Sequence, residues 1–211
     1  MVSASSATRA DLHRRGLVLA SFTIAWNVVE AVVAIGAGLA AGSIALVGFG
    51  FDSTVEVLSA CVVVWQFRSE RRGGYDEDRE RLALRLIALS FFVLAAYVTI
   101  EAGRDLFVGG SEPDESIVGI VLAALSLLVM PTLAIAKRRT ALALGSPTLR
   151  ADAAETLLCS WLSAALLVGL ALNATVGWWW ADPLAAIAIA VFAVTEGREA
   201  WRGDSCDDDT S

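Results

Sequence analysis

The chain has 211 residues, 56% of them hydrophobic and 18% charged, a mixture too apolar to keep the surface of a soluble domain wetted. Three cysteines indicate no disulfide framework, and a net charge of −7 gives no reason to expect a nucleic-acid partner. The composition points instead to an integral membrane protein whose first partner is the lipid bilayer.

Residues 1–16, "MVSASSATRADLHRRG", form a basic arm that leads into a long apolar run without a small-residue cleavage site, so the arm is expected to stay in the mature chain. Apolar runs follow at 17–41, 43–67, 82–108, 116–136, 148–175 and 177–200. Each approaches the ~20 residues that an α-helix needs to cross the hydrocarbon core, and none shows the period-two alternation of a membrane β-strand. The expected fold is an all-α, six-transmembrane-helix bundle over 17–202, followed by a short acidic tail at 203–211.

Charge sets the orientation. Fifteen of the 16 Lys and Arg residues fall in four clusters, at 9–15, 68–85, 137–150 and 198–202, at or near span ends that share one face, with Arg104 alone on the opposite side. The positive-inside rule makes the rich side cytoplasmic, with both termini there, most simply in the cell membrane. The remaining connections, Gly42-Ser43, "GGSEPDES" and the stretch around "NATVGWWWAD", then face outward, and Trp178, Trp179 and Trp180 suit an interfacial belt. The charged stretch "RSERRGGYDEDRERL" reads as a solvated cytoplasmic loop turning at its Gly-Gly pair. Pro131 is expected to bend span four locally. Ser146 and Pro147 suit the cap and first position of span five, and Asp182-Pro183 repeats that device at span six.

Two carboxylates interrupt the second span. A charged Asp near the bilayer centre costs about 2.5–3.5 kcal/mol on insertion scales, so Asp52 and Glu56, four residues apart on one helical face, should point into the bundle. Side by side they repel, and either a proton or a cation must neutralise them. Span five carries Asp152, Glu155 and Cys159 within two turns, Glu155 and Cys159 again four apart. At ~1.5 Å per residue, Asp52 and Cys159 lie at similar depth on oppositely directed spans, as do Glu56 and Glu155. If the spans are neighbours, Asp52 faces Cys159 and Glu56 faces Glu155. Four oxygen and sulfur ligands near mid-membrane suit a divalent transition metal, tetrahedral Zn²⁺ foremost.

Each residue also has a plainer reading. Asp52 and Glu56 could be a polar clasp between helices, but no Lys or His is expected within the membrane to pair with them, which favours a cation site. Cys159 alone would be a small buried apolar residue, and its register with Glu155 is what raises it to a ligand. Asp152 is an accessory carboxylate on the access path or an exposed first-turn acid. Asn27 and Glu30 in span one bond a neighbouring helix or line an ion or proton pathway. Glu101 and Arg104 suffice as a surface ion pair, Cys61 is expected to pack, and His13 to be solvated. Gly36, Gly38 and Gly42, with Gly48 and Gly50, permit close helix approach and allow a homodimer.

Three stretches carry a resemblance. "GSIALVGFGFDSTVEVLSA" at 42–60, "LRADAAETLLCS" at 149–160 and "WADPLAAIAIAVFAVTEGREAW" at 180–201 resemble the second, fifth and sixth transmembrane helices of the cation diffusion facilitators. That family exports divalent metals against protons and carries paired metal ligands, His or Asp followed by Asp, on its second and fifth helices. The resemblance implies that Asp52, Glu56, Glu155 and Cys159 are the ligands, with Glu56, Glu155 and Cys159 departing from the usual types. It further implies a short form lacking the family's cytoplasmic C-terminal domain, and no His-rich loop between the fourth and fifth helices. The expected function is proton-coupled export of Zn²⁺, with Cd²⁺, Co²⁺, Mn²⁺ or Fe²⁺ as other cargo and no organic cofactor. A non-transporting metal sensor or partner subunit with the same fold is the alternative. An intramembrane enzyme is disfavoured, because no His and no nucleophile with a base at helical spacing lie within the spans.

Overall fold

The computed structural model describes residues 8–41, 44–73, 76–104, 107, 117–176 and 181–202, with backbone alone for 41, 44–45, 169–176, 181–186 and 188–189. The expectations for Gly42-Ser43, "GGSEPDES" and Trp178 to Trp180, for the acidic tail at 203–211, and for the Asp182-Pro183 cap, fall outside what is described. Six helices account for the described secondary structure: α1 (Arg9–Ala41), α2 (Ile44–Gly73), α3 (Glu77–Arg104), α4 (Ile117–Leu144), α5 (Pro147–Val176) and α6 (Ala181–Arg202). The first five are long and apolar enough to cross a membrane. The helices run further than the apolar runs that mark them. α1 already starts at Arg9, and α2 and α3 absorb all but a few residues of the charged stretch expected to be a loop. Arg and Glu are good helix formers, and at the ends of a span nothing forces them out of helical geometry.

α5 lies at the centre, packed on α2, α3, α4 and α6, while α1 lies against α2 and α4. Large apolar side chains such as Val32, Leu39, Leu58, Leu128 and Trp161 are exposed on the outside, whereas Asp52, Glu56, Lys137, Asp152 and Glu155 are buried inside. This inverted distribution suits a lipid solvent. Two apolar clusters fill the interior, one around Phe67, Phe91 and Leu158 and the other around Phe49, Met130 and Leu133. Along α2, the polar residues Asp52, Ser53, Glu56 and Ser59 fall between Phe49 of one cluster and Val63 of the other. Hydroxyls inside the bundle bond their own helix: Thr23 donates to the Leu19 carbonyl at 3.1 Å, and Ser163 to the Cys159 carbonyl at 2.8 Å. Such bonds let a helix carry Ser and Thr without an orphaned donor.

The α4–α5 turn sets the register that the site depends on. Gly145 takes φ +66°, the left-handed conformation that favours glycine. The Ser146 amide then reaches the Ala141 carbonyl at 3.0 Å, and the Gly145 amide the Leu142 carbonyl at 3.4 Å, which closes α4 in a Schellman motif. Ser146 also caps α5, its Oγ accepting from the Leu149 amide at 3.3 Å ahead of Pro147, as the sequence suggests. With both helices starting back from one tight turn, Lys137 and Asp152 each stand ~11 Å from it and come side by side. α4 continues through Pro131.

Glycine permits closest approach at α1 and α2. A Cβ on Gly50 would lie 3.0 Å from the Ile35 amide nitrogen and 3.1 Å from the Ala31 carbonyl oxygen, atoms that cannot turn aside. Gly36, expected to serve the same purpose, has nothing within 4 Å of such an atom. Gly50→Ala is therefore expected to lower stability by about 1–3 kcal/mol and Gly36→Ala to leave it unchanged, read as thermal melting in detergent micelles. Equal melting of the two variants would refute the close α1–α2 contact.

Candidate metal centre and its intramembrane lysine

Asp52, Glu56, Glu155 and Cys159 are all buried, with at most 3% of any one exposed. α2 and α5 are neighbours, and the Cys159 thiol lies against the Asp52 carboxylate, one helical step from Glu56. Glu56 lies beside the Thr156 and Cys159 step of α5. Thr156 cannot satisfy it, because its hydroxyl donates to the Asp152 carbonyl at 3.0 Å and accepts from Lys137 Nζ at 2.8 Å. Among the described residues, neither Glu56 oxygen has a hydrogen-bond partner, and the same holds for Asp52 Oδ2 and Glu155 Oε2.

Glu155 turns toward α3. Its Oε1 stands 2.7 Å from Ser90 Oγ, and Ser59 of α2 lies beside it. Glu155 thereby stands between α2 and α3, bonded to Ser90 and still close enough to Glu56 for their charges to interact. Among the described residues, no three His, Cys, Asp or Glu side chains stand close enough to hold a metal ion in this arrangement.

Asp152 is not an exposed first-turn acid. It is fully buried, with Oδ2 2.7 Å from Lys137 Nζ and Oδ1 accepting from Ser59 Oγ at 3.3 Å. The expectation that no lysine lies within the bundle is overturned here. Lys137 opens the run "KRR" and was grouped with its flanking charges, yet it is 0% exposed whereas Arg138 and Arg139 face outward. Helical spacing carries the signal that identifies it. Met130, Leu133, Ala134, Lys137, Thr140 and Ala141 form one buried stripe at intervals of three and four. The ion pair neutralises Asp152, and the Lys137 charge also reaches Glu56, while Asp52 and Glu155 have no fixed cation beside them among the described residues.

Glu30 of α1 is the most heavily bonded acid in the interior. Oε2 accepts from Trp26 Nε1 at 2.6 Å and from Ser126 of α4, while Oε1 accepts from Ser53 of α2 at 3.0 Å and stands 3.9 Å from Cys159 Sγ of α5. One carboxylate thereby ties four helices together. Asn27 is buried one turn away and donates to the Thr23 carbonyl of its own helix at 3.0 Å, with its Oδ1 unpartnered. Ser53, Ser59, Ser90, Ser126 and Thr156 were not singled out in the sequence, where a hydroxyl in an apolar helix looks the same whichever way it points.

Three peripheral expectations also have outcomes. Glu101 and Arg104 pair at 3.3 Å as expected. His13 is largely covered, 3.7 Å from Glu70 and packed on Phe67 with ring centroids 4.9 Å apart, instead of solvated. Cys61 is exposed instead of packed.

A family model for the cation efflux transmembrane domain matches residues 20–202. An uncharacterized transporter from Synechocystis sp. is 29% identical over 191 residues, covering 82% of this chain and 61% of its own length. The cation-efflux pump FieF of Shewanella oneidensis is 28% identical over 110 residues, covering 52% of this chain and 37% of its own. The chain thus spans less than two thirds of either relative. The matched region runs from the middle of α1 to the end of α6 and contains every buried acid described above, and the chain belongs to the cation efflux transmembrane domain family.

Proposed function

We propose that this protein is a secondary transporter that exports a divalent transition metal, Zn²⁺ foremost, from the cytoplasm in exchange for protons. In this reading residues 17–202 form six spans in the cell membrane, with α6 as the sixth and both termini cytoplasmic. Asp52 and Glu56 of α2 and Glu155 and Cys159 of α5 hold the metal. The observation that carries the proposal is the set of four buried carboxylate oxygens on Asp52, Glu56 and Glu155 that lack a partner beside a buried thiol. A buried carboxylate oxygen left unpaired is costly, and a cation or a proton is what relieves it.

Metal and protons compete for the same atoms, so loading one releases the other. When protons occupy the acids the layer carries little charge, and when Zn²⁺ enters, the carboxylates and the thiol give up protons to coordinate it. Export follows if the site opens alternately to the two faces. Glu155 leaves Ser90 of α3 for the metal in the loaded state, completing the set that α2 and α5 supply. Lys137 stays on Asp152 and keeps that acid out of the ligand set. Asn27 and Glu30 border the layer from α1, where they can pass protons toward Asp52.

The test is metal flux in proteoliposomes. An outward proton gradient across vesicles holding the purified chain is expected to drive Zn²⁺ movement that stops when the gradient is collapsed. Absence of gradient-dependent movement of Zn²⁺, Cd²⁺, Co²⁺, Mn²⁺ and Fe²⁺ alike would overturn the reading.

A further inference from the structure

A groove of about 590 Å³ opens between α1 and α2 at their Arg-rich ends, away from the buried acids. Ser21 and Ile24 line it from α1, and Cys61, Trp65, Arg68 and Arg72 from α2. These four of its six α2 residues follow one another at intervals of four, three and four, a single helical stripe ~16 Å long. Its chemistry is graded. The Cys61 end is apolar, flanked by the exposed Phe22 and Leu58 that face lipid, while the other end carries two guanidiniums.

Among the described residues, Arg79 pairs with Asp76 and Arg81 with Glu77, but neither Arg68 nor Arg72 forms an ion pair, and both are exposed. Glu70, between them in sequence, is turned toward His13 and accepts from Gln66 Nε2 at 3.0 Å. The groove therefore offers two open cations at interfacial depth above an apolar channel that runs toward the bilayer centre.

We propose that this groove binds one anionic phospholipid. Its phosphate sits on Arg68 and Arg72, with planar donor forks matched to phosphate oxygens, and an acyl chain lies along Trp65 and Ile24 toward Cys61. A second copy of this chain is the poorer occupant. A twofold contact through the same groove would set the arginines of one copy against those of the other. The proposal is independent of the transport reading, since none of the groove residues belongs to the metal centre.

Native mass spectrometry of the delipidated chain in detergent tests it, with dioleoylphosphatidylglycerol and dioleoylphosphatidylcholine as probes. One phosphatidylglycerol per chain is expected to bind about 30-fold more tightly than phosphatidylcholine, each guanidinium supplying about fivefold. Arg68→Gln with Arg72→Gln removes the preference, Arg68→Lys with Arg72→Lys keeps most of it, and Arg138→Gln with Arg139→Gln, exposed outside the groove, leaves it intact. Phosphatidylglycerol bound equally by the wild type and the double Gln variant overturns the proposal, as does its displacement by millimolar inorganic phosphate. A second measurement needs no change in the groove. In a Cys206→Ser background, maleimide labelling of Cys61 is expected to slow several-fold with phosphatidylglycerol and not with phosphatidylcholine. Unchanged labelling, or Cys61 to Cys61 cross-linking between copies that phosphatidylglycerol does not suppress, would show that lipid is not the occupant.

Discussion

Lys137→Met is expected to destabilise the bundle by about 3–5 kcal/mol, because it leaves Asp152 as an uncompensated charge in a site with no exposure. The loss arises mainly from stranding Asp152, and only in small part from the missing attraction. A second change that removes the stranded acid should therefore restore most of the stability. Lys137→Met with Asp152→Leu is expected to unfold within about 1 kcal/mol of the wild type, since apolar replacement of a buried ion pair is often neutral. Thermal melting or denaturant titration in mixed micelles reads both. If Lys137→Met alone melts like the wild type, the ion pair does not exist in the folded bundle. If the double variant is no better than the single one, the cost lies in packing around Lys137 and Thr156 instead.

The second large effect concerns the metal. Apparent binding of about 10–16 kcal/mol for tetrahedral Zn²⁺, shared over four ligands, makes one ligand worth about 3 kcal/mol, or roughly a hundredfold in affinity. Asp52→Ala, Glu56→Ala and Glu155→Ala should each lose at least that much Zn²⁺ affinity, measured by calorimetry on the purified chain. Cys159→Ala should fall hardest for Cd²⁺ and Zn²⁺ and least for Mn²⁺, because thiolate favours the softer ions. Asp152→Asn should stay within about tenfold of the wild type, its carboxylate being committed to Lys137 and Ser59. Full Zn²⁺ affinity in Cys159→Ala would reassign the fourth position to Asp152 or water. Binding without gradient-driven flux would favour a metal sensor over a transporter.

The inward burial of Asp52 and Glu56 is legible because a carboxylate in an apolar helix is costly wherever the helix packs, so its presence signals a partner. The spacing of Glu155 and Cys159, and the depth they share with the first pair, follow from helical rise alone. Lys137 was misplaced for the opposite reason. At the end of a span a lysine can extend into water or fold back into the bundle, and the adjacent Arg138 and Arg139 suggest the first while the helical stripe through Met130 and Thr140 dictates the second. The charged stretch after span two reads as a loop because charge marks where the membrane ends, which is not where the helix ends. Glu155 illustrates a further limit. Its face on α5 is fixed by its neighbours in sequence, but whether it meets Glu56 or Ser90 depends on how closely α3 approaches.

The sequence by itself determined the apolar helices, their charged flanks, and the burial of Asp52, Glu56, Glu155 and Cys159 on α2 and α5. Each of these follows from local periodicity or from the cost of charge in hydrocarbon, and both are properties of single segments. Tertiary structure alone decided the company those groups keep. It put Lys137 on Asp152 through the Gly145 turn, gave Glu155 to Ser90, and tied Glu30 to three other helices. It also opened a groove beside Arg68 and Arg72. Pairings between helices depend on rotation and tilt, which many weak contacts set together and no one segment encodes.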